Sequence, residues 1–183
     1  VRVPAAKPEY FLQSLDSGAA GVVCPHIDTV AKAQAIATAA HFGLGGRGFA
    51  GATRWAGLVR PPMAEVLAKS ASETIVIAQI EEPAGVEAAE EIAAVDGIDG
   101  LFIGPADLSV SYGKTDTGSA ELQEAYRRVG EACKVAGKAH ITFILKPEQA
   151  EPLAKHGVRV FLLGADHSLM ADAAQAAIGA LRR

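Results

Sequence analysis

The sequence lacks the features of several large classes of protein. Two cysteines in 183 residues are too few for a disulfide framework and indicate free thiols, so we predict a cytoplasmic protein. The net charge of −4 comes without a basic stripe, and nucleic-acid binding is therefore not expected. No apolar run reaches the roughly 18 residues of a membrane-spanning helix, so no membrane partner is expected either. The length fits one globular domain.

A glycine-rich nucleotide-binding fingerprint is also missing. The segment GLGGRGFAG at 43–51 contains five glycines, but a long predicted helix precedes it instead of a strand, so we interpret it as a loop. Arg47 and Arg54 in and after this loop could contact an anionic substrate tail or a neighbouring subunit. Trp55 beside them favours an interface or a lid, because large aromatic residues are enriched at contacts.

What the sequence does contain is an alternation of short apolar runs with alanine-rich amphipathic stretches. Strands are predicted at 1–3, 21–24, 74–80, 99–103, 139–144 and 158–163. Helices are predicted at 8–17, 28–41, 61–71, 83–95, 119–136, 147–156 and 167–181, with Asp28 capping the second. Runs that are apolar on both faces are typical of a buried parallel sheet. The repeated βα units predict an α/β fold, either a (β/α)₈ barrel or a doubly wound sheet.

In such folds functional side chains gather where the parallel strands end. The residues at predicted strand ends are Arg2, Pro25, Gln79, Glu81, Asp107, Leu145 and Asp166. Glu81 and Asp107 are oxygen ligands of the kind that Mg²⁺ and Mn²⁺ prefer, and two carboxylates leave open positions for a chelating oxo acid. For any single acid taken alone a solvated residue is the more common case, as we interpret Glu82 to be, and it is the shared position at strand ends that distinguishes Glu81 and Asp107.

Five motifs occur in order along nearly the whole chain. They are VRVP, LDSGAAGVVCPHIDT, GGRGFAGATR, IAQIEEPAGVE and GIDGLFIGPADLSVSYG. Together they resemble the HpcH/HpaI aldolase/citrate lyase family, and within it the class II pyruvate aldolases. The resemblance implies a (β/α)₈ TIM barrel of about 250 residues. The chain would supply about the last six βα units, as a single partial barrel domain over 1–183 that lacks the first two units.

The resemblance also implies site roles. Glu81 and Asp107 would bind a divalent metal ion such as Mg²⁺, Mn²⁺ or Co²⁺, and Arg2 would stabilise the enolate oxygen. Asp16 would support a catalytic histidine that we expect upstream of Val1, because none of the five histidines here matches it. Substrate-binding positions implied in the same way are Gln79, Gly104, Pro105, Ala106 and Asp107.

The predicted function is reversible, metal-dependent aldol cleavage of a 4-hydroxy-2-oxo acid to pyruvate and a small aldehyde. One alternative is a carbon–carbon lyase acting on a CoA thioester, of the citrate lyase or malyl-CoA lyase type. Another is a non-catalytic fragment. A Schiff-base mechanism through Lys146 is a further option, although the metal would already supply the electron sink. The resemblance also implies a homo-oligomer, with hexamers built from dimers as the family's tendency.

Overall fold

The computed structural model describes residues 1–181, in which parallel strands alternate with helices. The strands are β1 (Gly21–Cys24), β2 (Ile75–Ile80), β3 (Gly100–Ile103), β4 (Ala139–Ile144) and β5 (Val160–Leu163). The helices are α1 (Pro8–Asp16), α2 (Val30–Ala40), α3 (Met63–Glu73), α4 (Pro83–Glu87), α5 (Ala89–Ala93), α6 (Pro105–Ser111), α7 (Ala120–Ala136), α8 (Ala150–Ala154) and α9 (Asp166–Leu181).

The five strands form one parallel sheet in the order β1-β2-β3-β4-β5. Each strand pairs with the next one along the chain, so the strand order never reverses. A doubly wound sheet requires such a reversal, whereas a barrel winds in one direction. The structure therefore decides between the two predicted architectures in favour of the barrel type.

The opening residues contribute less than a full strand. Arg2 forms an isolated parallel bridge with Val23, supported by hydrogen bonds from Val3 N–H to the Val23 carbonyl and from Val23 N–H to the Val1 carbonyl. Val1–Val3 therefore lie beside β1 as expected, but the paired stretch is too short to count as a strand.

Three predicted helices differ in detail. The helix predicted at 83–95 is divided into α4 and α5, because Ala88 has φ −89° and ψ 10° and interrupts it. The stretch 147–156 divides into a 3₁₀ turn at Pro147–Gln149 and α8. The cap of α2 is Thr29, whose Oγ1 accepts the Lys32 N–H at 3.3 Å. The prediction of Asp28 as that cap was wrong, since its carboxylate binds the Lys32 ammonium at 2.7 Å instead.

The two faces of the sheet have different surroundings. The main core cluster joins alternate strand residues such as Val76, Ala78 and Ile80 to the helices. Ile77, Phe102 and Ile141 form a separate cluster of strand residues only. We call this second, helix-free side the inner face. Side chains two residues apart in a strand share a face, so Gln79 lies on the inner face with Ile77.

The last βα unit is the least buried part. None of the described residues of β5 and α9 is fully buried. Apolar residues of α9 such as Leu169, Met170 and Ile178 are at least half exposed. Within residues 1–181, no helix combines the length and the apolar character needed to cross a bilayer.

Candidate metal and oxo-acid site

Glu81 lies at the carboxyl edge of the sheet, directly after β2. The two-residue alternation of the strand places it on the inner face with Gln79. The register between β2 and β3 determines which residue lies opposite Glu81. Gln79 pairs with Phe102 and Ile80 pairs with Ile103. The next position along β3 is Gly104, which begins the segment Gly104–Asp107 at the same edge.

Glu81 is buried, at 4% exposure, and its carboxylate accepts hydrogen bonds on both oxygens. The His26 backbone N–H donates to Oε2 at 3.0 Å, and the Gln79 amide nitrogen donates to Oε1 at 2.8 Å. Burial is the main cause that raises the pKa of Glu81, while the His26 N–H opposes the shift. The negative charges of Asp107 and Glu82 raise that pKa further. Glu81 is thus a fixed carboxylate whose charge is not neutralised by a salt bridge to Lys or Arg within residues 1–181.

Gly104 is required by this packing. A Cβ built on it would lie 2.9 Å from Glu81 Cγ, 3.1 Å from Glu81 Oε1 and 3.1 Å from Gln79 Nε2. Any larger residue would push against both side chains. The glycine of the GPAD motif therefore fixes where the Glu81 carboxylate lies.

The donor set fits a hard divalent cation. Asp107 lies exposed in the first turn of α6, close enough to Glu81 for its charge to raise the pKa of that carboxyl. The Gln79 amide oxygen is buried and has no hydrogen-bond partner among residues 1–181, so an acceptor is free on the side chain that holds the Glu81 carboxylate. Within residues 1–181, no three His, Cys, Asp or Glu side chains form a complete protein cage. Mg²⁺ sites commonly have this composition, with a few carboxylates and the remaining positions open to water or substrate.

His26 and Glu82 lie at the same edge of the sheet, and the sequence pattern did not single out Glu82 as a site residue. The His26 Nδ1 lies 2.6 Å from Glu82 Oε1 and 3.3 Å from Glu81 Oε2, and His26 has a positive φ of 59°. The His26 side chain therefore lies against both acids, and Glu82, which we interpreted as a solvated acid, is partly buried and paired with His26. Its position directly after Glu81, at a strand end, was the available signal.

Arg2 is placed on the inner face by its pairing with Val23. Val23 is level with Ile77 in the register and packs with the inner-face cluster. Arg2 is exposed, and its charge is near enough to Cys24 to oppose the burial that raises the pKa of that thiol to about 12. A guanidinium without a carboxylate partner among residues 1–181 therefore lies on the same side of the sheet as Gln79 and Glu81.

Asp16 is not brought to this edge. It ends α1, immediately before the amino end of β1, so it lies at the opposite edge of the sheet from Glu81. Its Oδ1 lies 3.9 Å from Arg47 Nε, and burial raises the Asp16 pKa while the Arg47 charge lowers it. Arg47 itself is buried against Phe42, with its guanidinium carbon 4.0 Å from the ring centroid. The prediction that Arg47 contacts a substrate or a neighbouring subunit was therefore wrong for this residue.

Lys146 follows β4 at the carboxyl edge, but its position does not suit a Schiff base. The residue is exposed, and its backbone N–H donates to the Gln149 side chain. Schiff-base lysines are activated by desolvation or by a neighbouring cation. The exposed Lys146 side chain is not desolvated.

Comparison with known proteins agrees with this arrangement. A sequence model of the HpcH/HpaI aldolase/citrate lyase family matches residues 1–173. The chain belongs to the HpcH/HpaI aldolase/citrate lyase family. Glu81 and the GPAD turn thus lie in the family's sequence context, as the motifs indicated.

Two curated relatives of this chain are named as aldolases. The hydroxypyruvate/pyruvate aldolase of Delftia acidovorans is 37% identical over 93% of this chain and 64% of its own length. The 4-hydroxy-2-oxovalerate aldolase of Rhodococcus jostii is 34% identical over 93% of this chain and 66% of its own length. The chain therefore spans just under two thirds of the length of these relatives.

Among solved structures, a HpcH/HpaI aldolase/citrate lyase family protein from Burkholderia cenocepacia J2315 superimposes with a TM-score of 0.91. The two chains are 34% identical, and the match covers all of this chain and 73% of the other. The parallel sheet described above therefore has the curvature of a TIM-barrel-like aldolase fold.

Proposed function

We propose that this family member is a metal-dependent pyruvate aldolase chain, which cleaves a 4-hydroxy-2-oxo acid to pyruvate and a small aldehyde and also runs in reverse. The observation that carries the proposal is the buried Glu81 carboxylate, fixed by His26 N–H and Gln79 beside Asp107. The names of the two curated relatives support the reaction class.

Each residue has a proposed task. Glu81 and Asp107 hold the divalent ion, which supplies Lewis-acid polarisation of the oxo group when bound. Arg2 places a positive charge where the enolate oxygen develops, an interaction that matters most in the transition state. The segment Gly104–Asp107 binds the pyruvate end of the substrate, and the Gln79 amide nitrogen lies close to Gly104 in that segment.

A CoA-thioester lyase is not favoured, because both curated relatives carry aldolase names. The role of Asp16 as support for a catalytic histidine, the identity of the ion and the oligomeric state remain proposals.

The experiment separates ion binding from catalysis. Protein, Mn²⁺ and pyruvate are mixed, and paramagnetic broadening of the pyruvate methyl signal is measured by NMR. A short aldehyde is then added, and the aldol adduct is quantified without CoA. We expect both signals in the unmodified chain and their loss after chelation.

Glu81→Gln should abolish the broadening and lower the adduct rate by at least about 100-fold, since a charged group aimed at developing charge is lost. Glu90→Gln is the matched control, because Glu90 is an exposed acid of α5 remote from β-strand ends. Full activity after exhaustive chelation, or equal rates in the two variants, would contradict the proposal.

A further inference from the structure

A cavity lies at the edge of the sheet opposite to Glu81. It has a volume of about 630 Å³ and is formed where α7 ends, where β4 begins and where the connection from α8 enters β5. A cavity of this size is within the range that holds small-molecule ligands.

The lining of this cavity is strongly basic. Five of the chain's 17 Lys and Arg residues line it, together with His156 and a single carboxylate, that of Glu131. The basic residues are Arg127, Lys134, Lys138, Lys155 and Arg159. Because the whole chain carries a net charge of −4, this concentration of positive charge is local and does not follow from composition.

Most of that charge is uncompensated. Arg127 is paired with Glu124 at 2.6 Å, and Lys155 lies 4.0 Å from Glu151 with both side chains exposed. Within residues 1–181, the other three cations have no carboxylate within 4.0 Å. These three are Lys134, Lys138 and Arg159.

Helix ends explain only part of the pattern. A cation in the last turn of a helix compensates the exposed carbonyl groups there, and Lys134 does so for α7. Lys138 and Arg159 lie beyond the ends of α7 and α8 and are not required for that purpose. A charge surplus remains after the helix ends are satisfied.

The two walls of the cavity are held in close contact. Gly130 of α7 approaches the His156 carbonyl so closely that a Cβ on it would lie 1.9 Å from that oxygen. Only glycine permits this approach, which brings the cations of α7 and those of the α8–β5 connection to one space. Backbone packing therefore holds together the two segments that carry the basic residues.

We propose that this cavity is an anion-binding site for a small molecule carrying more than one phosphate group. Arg forks and Lys ammonium groups are the side chains that bind phosphate oxygens. The site lies at the amino ends of β4 and β5, so its ligand is not the substrate bound at the carboxyl edge. This proposal is independent of the aldolase activity.

The test is calorimetric titration with inorganic pyrophosphate at about 0.15 M ionic strength, where long-range attraction is screened. A triple variant, Lys134→Gln with Lys138→Gln and Arg159→Gln, should bind at least about tenfold more weakly, because charge-assisted hydrogen bonds are lost. A control triple variant carries Lys7→Gln, Arg60→Gln and Lys69→Gln at exposed positions elsewhere. Both variants change the net charge by the same amount, and the control should bind within about twofold of the unmodified chain.

Backbone NMR gives a second readout that does not depend on the variants folding. Pyrophosphate should shift the amide signals of Gly130, Gly137 and Gly157, which line the cavity. Absence of pyrophosphate binding, equal weakening in both triple variants, or amide shifts confined to other regions would overturn the proposal. Citrate binding as tightly as pyrophosphate would overturn the assignment to phosphate ligands.

Discussion

At the scale of single residues, the candidate site depends on one position without a side chain. Gly104 leaves the space in which Glu81 and Gln79 meet, and the Ser111 hydroxyl donates to the Glu81 backbone carbonyl at 2.9 Å. The geometry of the metal ligand is therefore determined by what surrounds it as much as by the carboxylate itself.

Gly104→Ala should displace the Glu81 carboxylate and weaken Mn²⁺ binding by about tenfold or more, since disturbed supporting contacts commonly cost that much. Overpacking should also lower the free energy of unfolding by about 1–3 kcal/mol. Mn²⁺ titration monitored by electron paramagnetic resonance and urea unfolding measure the two effects. Gly48→Ala is the control, because a Cβ there meets nothing within 4 Å. Equal Mn²⁺ affinity in the two variants would show that the small size of Gly104 is not what positions the Glu81 carboxylate.

At the scale of elements, α7 shows how local sequence sets the limits of a helix. Ser119 caps its first turn by accepting the Leu122 N–H at 3.3 Å. Gly137 ends it with φ 68° and ψ 27°, a left-handed conformation that favours glycine. Both ends were predictable because the capping groups are adjacent in the chain to the helix that they end.

Ser119→Ala should lower the free energy of unfolding by about 1 kcal/mol, because the cap leaves an N–H of the first turn unsatisfied. Urea denaturation monitored by circular dichroism measures the change. Ser72→Ala serves as control, since that exposed hydroxyl bonds back to carbonyls of its own helix α3 and should contribute little. A loss that is as large in the control variant as in Ser119→Ala would rule out the capping explanation.

At the scale of the whole molecule, stability and assembly depend on contacts between distant segments. Among them is the buried His140, whose Nδ1 lies 3.3 Å from the His156 carbonyl oxygen and whose Nε2 has no hydrogen-bond partner in the described part of the chain. Burial lowers the His140 pKa to about 4 from the ordinary 6.5. The native state thus keeps this imidazole neutral where the unfolded chain already protonates it.

The sign of the pH dependence follows. As the pH falls below 6.5, His140 binds a proton in the unfolded state but stays neutral in the native state. The free energy of unfolding therefore decreases until the pH reaches the native-state pKa of about 4. The loss from this one group should reach about 3 kcal/mol. Urea unfolding at pH 7 and pH 4 measures it, with His140→Gln as the comparison. If the variant loses as much stability over this range as the unmodified chain, the buried histidine is not the cause.

The exposed apolar residues of β5 and α9 belong to the same scale. The predicted homo-oligomer would cover such a surface, and exposed apolar patches commonly mark contact sites. Oligomeric state, the cytoplasmic location and the boundaries of the partial barrel remain predictions.

The sequence by itself determined the parallel α/β class and all five strands to within two residues at each end, with β1 and β4 matched at both ends, because apolar runs and glycine caps act locally. It also determined the family and Glu81 with Asp107 as candidate ligands, through ordered motifs. Only the tertiary structure decided that Glu82 and His26 join the site and that Asp16 and Arg47 lie at the other edge. The tertiary structure alone showed that basic residues of α7 and of the α8–β5 connection line one cavity beside Gly130. These outcomes depend on strand register and on packing between segments far apart in the chain, and a linear pattern does not encode which side chains meet there.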